Sequence, residues 1–181
     1  FLLYYDAKTQ KITAMNGSGG APAKATIEYY QSLGLKSVPK DGMLSVTVPG
    51  AVDVYFEALK QFGTLSFADL CEDAIELSET GVPVSEKVAR HMHTDYQKMC
   101  RFKNLKNLYL KDGKPYPYGE LVYNKDYAKS LRYLKEHGRD GFYKGKLADK
   151  IVEYSHEHGG IFEKSDFENY HCQILEPISV D

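Results

Sequence analysis

The chain has 181 residues, with 23 Lys and Arg against 25 Asp and Glu, for a formal charge of −2. Hydrophobic residues make up 43% and charged ones 27%, a globular composition with enough apolar material for one ordinary core. No basic block offers a footprint for nucleic acid, and no apolar run approaches the ~20 residues that a membrane span requires.

The chain opens directly on Phe-Leu-Leu-Tyr-Tyr, without an initiator Met or a charged leader. It therefore reads as a segment of something longer, with no signal peptide of its own. Phe1 to Asp6 and Lys11 to Asn16 are β-prone runs joined by Ala-Lys-Thr-Gln, the pattern of a hairpin within a larger sheet. Pro22 to Leu33 reads as a helix with Ile27, Tyr30 and Leu33 on one face and Gly34 ending it. Residues 35–42 are loop, and Met43 to Val48 is a strand candidate stopped by Pro49-Gly50.

From Gly50 the period becomes helical. Val52, Tyr55, Phe56 and Leu59 form one stripe; Phe67, Leu70, Ala74 and Leu77 form the next, capped by Ser66. Ser85 opens a helix to about Phe102, residues 103–121 read as loop and turn, and Asn124 caps a helix with Tyr127, Leu131 and Leu134 inward and Gly138 after it. A further helix covers Gly145 to His158. Ser165 caps a short turn, and His171 to Leu175 returns as a strand. The organisation is a sheet-forming stretch over 1–49, a helical region over 50–170 and a returning strand over 171–181, in one partial domain.

Residues 14–26 join the hairpin to the first helix through Gly17, Gly19 and Gly20, with Ser18 and Ala21 as the only side-chain carriers between Asn16 and Pro22. Such glycines bring backbone N–H groups close to a ligand, and a helix beginning at Pro22 would add the field of its N-terminus, favouring a carboxylate. The same composition equally serves a tight strand-to-helix turn with no ligand. The spacing matches no nucleotide-binding motif.

Elsewhere no complete catalytic set stands out. His91/His93 and His156/His158 lie two apart, on opposite sides of a helix, so neither pair converges on a metal. Glu72/Asp73 and Glu76/Glu79 read as solvated helix faces, and Arg139-Asp140 as an ion pair at a helix junction. Cys71, Cys100 and Cys172 are odd in number and widely spaced, the pattern of buried free thiols.

Several runs resemble the large subunit of gamma-glutamyltranspeptidases, in the family's own order. They are Phe-Leu-Leu-Tyr-Tyr-Asp (1–6), Ala-Pro-Ala-Lys-Ala-Thr (21–26) and Ser-Val-Thr-Val-Pro-Gly-Ala-Val (45–52). Phe-Gly-Thr-Leu-Ser-Phe-Ala-Asp-Leu (62–70), Gly-Val-Pro-Val-Ser (81–85) and His-Gly-Arg-Asp-Gly-Phe-Tyr-Lys-Gly (137–145) continue the likeness. Asp-Phe-Glu-Asn-Tyr (166–170) and Glu-Pro-Ile-Ser-Val (176–180) complete it.

The resemblance implies an α+β fold, part of an αββα sandwich of the N-terminal-nucleophile hydrolase type, with a mainly helical middle. It implies a precursor that cuts itself into two subunits, the small one carrying an N-terminal threonine that attacks a γ-glutamyl or related acyl amide. It implies no cofactor and no metal, and the small subunit as partner. No catalytic residue is expected in this chain, because the Thr-Thr-His of the cleavage point is absent from it. The chain then reads as an internal large-subunit segment.

The expected substrate-binding residues are Asn16, Ser18, Gly19 and Gly20. The resemblance places Ser18 where relatives acting on γ-glutamyl groups carry an arginine for the substrate's α-carboxylate; relatives with other amides place an arginine at Gly20. Neither position is basic here. A same-fold acylase that does not use glutathione, and a non-catalytic binding homologue, are the alternatives.

Overall fold

Asp6 closes the first turn. Its carboxylate accepts from the Lys8 amide and the Thr9 hydroxyl, each at 2.9 Å, and Gln10 turns the chain with φ 56°. Strands Leu2–Asp6 and Lys11–Asn16 then pair antiparallel, with Leu2 opposite Met15 and Asp6 opposite Lys11. A third strand, Gln173–Leu175, joins the free side of Lys11–Asn16 with Asn16 opposite Gln173. One face of this sheet carries Leu2, Tyr4 and Met15; Met15 is buried, and Tyr4 stacks on Phe62 with ring centres 4.1 Å apart. The opposite face carries Leu3, Tyr5, Ile12 and Leu175, between 48% and 71% exposed.

The computed structural model describes residues 1–180; the last residue of the expected 171–181 strand lies outside the described residues. They form two compact units, one built from Phe1–Phe67 and the chain from His137 onward, the other from Ala68–Glu136.

The first unit is centred on Val48, Tyr143, Ala148, Phe162 and Phe167. Tyr143 is fully buried, and its hydroxyl donates to the Pro49 carbonyl at 2.7 Å while accepting from the Asp53 amide at 3.1 Å. Around this core stand helices Ala51–Phe62, Lys146–Glu157 and Lys164–Glu168. Helix Ala51–Phe62 buries Asp53 and Val54, and the expected stripe member Tyr55 is exposed, because Tyr143 and Arg139 draw the Asp53 side of the helix inward.

The second unit is centred on Val84, Ala89, Met92, Met99 and Leu110. Ser85 caps a helix, Glu86–Thr94, which breaks at Asp95 before Tyr96–Arg101, so the long helix to Phe102 is two. The expected loop at 103–121 contains helix Lys103–Tyr109 and a hairpin, Leu110 opposite Pro115, turned by Asp112-Gly113 with positive φ at both. The expected stripe of Leu70 and Leu77 is exposed, and Cys71, Ile75 and Ser78 are buried instead. Cys71 joins helix Phe67–Leu70 to helix Glu72–Thr80 with helical dihedrals, and Cys71, Ile75 and Ser78 recur at i, i+4 and i+7. Glu72 and Glu79 pair with Lys135 and Arg132 rather than standing in solvent alone. Asn124 caps its helix as expected, accepting from the Tyr127 amide at 3.0 Å; Leu131 and Leu134 are buried, whereas Tyr127 is exposed.

Two further expectations are corrected. Glu163, not Ser165, caps Lys164–Glu168, in a reciprocal capping box with Asp166. Cys100 is exposed, so not all three thiols are buried. Replacing Tyr143 with Phe leaves the Pro49 carbonyl and Asp53 amide without their partner, and is expected to cost about 1–3 kcal/mol in urea denaturation.

Candidate functional site

Asn16 ends its strand with its side chain turned onto the loop that follows. Its Oδ1 accepts from the Ser18 amide at 3.0 Å and the Ser18 hydroxyl at 2.7 Å, while its Nδ2 donates to Gln173 Oε1 at 3.1 Å. The chain from Thr47 to Gly50 lies against the same loop: Thr47 Oγ1 donates to the Ser18 carbonyl at 3.0 Å, and the Val48 amide to the Gly20 carbonyl at 2.9 Å. These contacts replace the strand expected at Met43–Val48. Met43–Ser45 is a single 3-10 turn, and the β-branched residues after it serve the glycine loop instead of a ladder.

The glycines divide by role. At Gly17 a Cβ would collide with the Val54 side chain and crowd the Gly50 carbonyl; at Gly19, with φ +88°, it would collide with the Val48 carbonyl. Gly50 is equally closed, by the Tyr170 hydroxyl and the Gly17 carbonyl. Backbone approaches backbone between Gly17 and Gly50 and between Gly19 and Val48. Gly20 differs: a Cβ there meets nothing within 4 Å. Ser18 and Gly20 are the two exposed positions of the loop, and Asn16 and Gly19 are half-buried behind them.

The helix expected from Pro22 is corrected. Residues 22–25 form a turn, the Ala25 amide donating to the Pro22 carbonyl at 2.8 Å, and the helix is Ile27–Ser32, capped by Thr26. Ile27 and Leu33, expected on its inner face, are exposed. The Ala23 amide, one of the donors that would face an anion, donates to the Asp166 carboxylate at 2.8 Å. Asp166 is itself an anion, and it comes from within the fold.

Behind the loop lies a buried charge that the sequence did not single out. Asp53, in the first turn of Ala51–Phe62, takes the Arg139 guanidinium on Oδ1 and the Cys172 amide on Oδ2 at 2.5 Å. Burial pushes the Asp53 carboxyl up, but the Cys172 amide and Arg139 outweigh it and hold the group below the usual carboxylate range. Arg139 keeps a looser contact with Asp140 at 3.5 Å, the pair the sequence suggests, and its ring neighbour is Tyr143, 4.5 Å from the guanidinium carbon. Burial and the adjacent Asp53 push the Cys172 thiol up to about 11. At neutral pH it is a thiol rather than a thiolate, so it supplies no nucleophile.

The family model described as Gamma-glutamyltranspeptidase matches residues 1–181. The chain belongs to this family. A glutathione hydrolase proenzyme of Bacillus subtilis (strain 168) is 33% identical over 182 residues, covering 98% of this chain and 31% of that protein. Among solved structures, the gamma-glutamyltranspeptidase of Helicobacter pylori is similar with a TM-score of 0.90 at 29% identity, over 98% of this chain and 52% of that one. A cephalosporin acylase from Bacillus halodurans is similar with a TM-score of 0.90 at 30% identity, over 99% of this chain and 34% of that one. The chain spans about a third of the length of the curated relatives it matches. Its fold is the corresponding part of an N-terminal-nucleophile hydrolase, mixed helix and sheet.

The two classes of glycine are separable by substitution. Gly19→Ala forces a Cβ onto the Val48 carbonyl at positive φ and is expected to cost about 2 kcal/mol or more. Gly20→Ala should stay within roughly 0.5 kcal/mol of wild type in the same denaturation experiment.

Proposed function

We propose that the whole protein is an amide hydrolase or acyltransferase acting on a γ-glutamyl or related acyl amide, and that these residues supply scaffold and one wall of its substrate pocket. What carries this reading is the match of the family model along residues 1–181. The nucleophile is the N-terminal threonine of a small subunit. Its hydroxyl oxygen bonds to the acyl carbonyl carbon, its proton passes to the threonine's own α-amine, and the substrate amine leaves protonated. Water or an acceptor amine then takes the acyl group.

In this reading the wall is the Asn16–Gly20 loop. Asn16 fixes Ser18 by two hydrogen bonds, and Ser18 and Gly20 face outward toward the acyl group. A second reading, an acylase whose acyl group lacks an α-carboxylate, is favoured by one observation: residues 16–20 hold no cation. An arginine–carboxylate pair is bidentate and charge-assisted, and a serine hydroxyl does not replace it. Similarity to the cephalosporin acylase supports the same direction. The apolar sheet face of Leu3, Tyr5, Ile12 and Leu175 is the surface this reading assigns to the small subunit.

Ser18→Arg in the full-length processed enzyme tests the loop. A charge-assisted hydrogen bond contributes about 1.5–3 kcal/mol, so kcat/KM for an amide bearing the α-carboxylate should rise about ten- to hundredfold. The matched amide without the carboxylate should change little. Equal effects on both substrates would remove Ser18 from the carboxylate's position. The 181 residues alone, lacking the threonine, should turn over no chromogenic γ-glutamyl anilide above a heat-killed control.

A further inference from the structure

Among the described residues, Asp53 is the one charged side chain that is buried. Its partner Arg139 reaches further: one terminal nitrogen donates to the Tyr170 carbonyl and lies 3.2 Å from His171 Nδ1. With the Cys172 amide on Asp53 itself, the pair holds three consecutive residues, 170 to 172. Those residues border the candidate loop at two points. The Tyr170 hydroxyl fills the space where Gly50 would carry a Cβ, and the Gly17 carbonyl closes the same space from the loop side. Gln173, the next residue along, pairs with Asn16 through the sheet register and through its side-chain amide at 3.1 Å. Asn16 in turn holds Ser18.

We propose that Asp53 and Arg139 are positioning residues for the Asn16–Gly20 loop, acting through residues 170–173 and never touching the substrate themselves. An apolar pair of equal volume would stabilise the core as well or better, because burying two charges costs most of what their attraction returns. An apolar pair would not, however, grip a carbonyl, an amide and an imidazole at set directions. A guanidinium and a carboxylate do this, since their donors and acceptors lie in fixed planes. The functional consequence rests on the loop being a substrate wall; the positioning does not.

The experiment uses the full-length processed enzyme with Arg139→Gln and Asp53→Asn, followed by amide hydrogen exchange and by steady-state kinetics on an anilide substrate. Exchange over residues 16–20 and 170–175 should quicken by about tenfold or more, with exchange over 84–110 unchanged. KM should rise about tenfold and kcat should move less than about threefold, the split expected when binding geometry alone is disturbed. Ser155→Ala, which removes another fully buried polar group of the same unit, is the control for general destabilisation and should leave residues 16–20 unchanged. Gln173→Ala is an exposed substitution that leaves the buried pair intact, so it reads the relay even if the charge variants fail to fold. It should quicken exchange at residues 16–18 by about threefold or more without altering 170–172. Unchanged exchange at 16–18 in Gln173→Ala, unchanged exchange at 16–20 in folded Arg139→Gln, or an equal effect in Ser155→Ala would overturn the positioning, whatever KM does. Loosened residues 16–20 with unchanged KM support the positioning and remove the loop from the substrate site.

Discussion

A carboxylate taken out of water at the start of a helix must find donors, and Asp53 finds them from two distant stretches of chain. The desolvation of such a group is unfavourable by several kcal/mol in general, and only close, oriented partners offset it. Arg139 and the Cys172 amide meet that demand, and the helix N-terminus adds its own favourable field. Tyr143 depends on the same place: its hydroxyl is spent on the Asp53 amide and the Pro49 carbonyl, and burial pushes its ionisation above the ordinary tyrosine range. The segment 170–173 inherits its course from these contacts, and the glycine loop inherits its course from that segment.

The glycine loop shows how one composition serves two ends. Gly17 and Gly19 are there because the backbone of residues 47–50, and at Gly17 the Val54 side chain as well, lies where their side chains would be. Gly20 has no such constraint. An open glycine beside an exposed serine leaves this stretch uncharged, and in the proposed reading an acyl group meeting it would be selected by shape and neutral hydrogen bonds. The turn after it is equally self-contained, since Asp166 already occupies the Ala23 amide.

Local rules were readable in the sequence wherever neighbours in the chain enforce them. The opening hairpin and the Ser85 and Asn124 caps are such cases. What failed was phase and reach. The stripe through Leu70 and Leu77 is displaced by one position, with Cys71, Ile75 and Ser78 buried in its place, because a small thiol and a hydroxyl fill the inner face where the larger leucines were expected. The helix expected from Pro22 begins five residues later, since Asp166, remote in sequence, takes a donor from the turn before it. The same holds for the candidate site. Asn16, Ser18, Gly19 and Gly20 stand out by composition, whereas Asp53, Arg139 and Tyr170 lie in unrelated stretches and meet only in the fold. Asp53 carried one local sign, an acid among apolar residues at the start of a helix, but its burial depends on a partner 86 positions away.

The opening hairpin is apolar on both sides: Leu2 and Tyr4 on one, Leu3 and Tyr5 on the other. Most half-buried strands reject a one-residue slip because it drives grease into water and polar groups inward. Here a slipped first strand would present nearly the same hydrophobicity to the interior, so on that strand the usual safeguard is weak. The choice between the two arrangements in the first strand leans on the turn at residues 6 to 10, through the grip of Asp6 on Lys8 and Thr9 and the positive φ of Gln10. Inside and outside are distinguished in this strand by the length of a turn rather than by the character of its side chains.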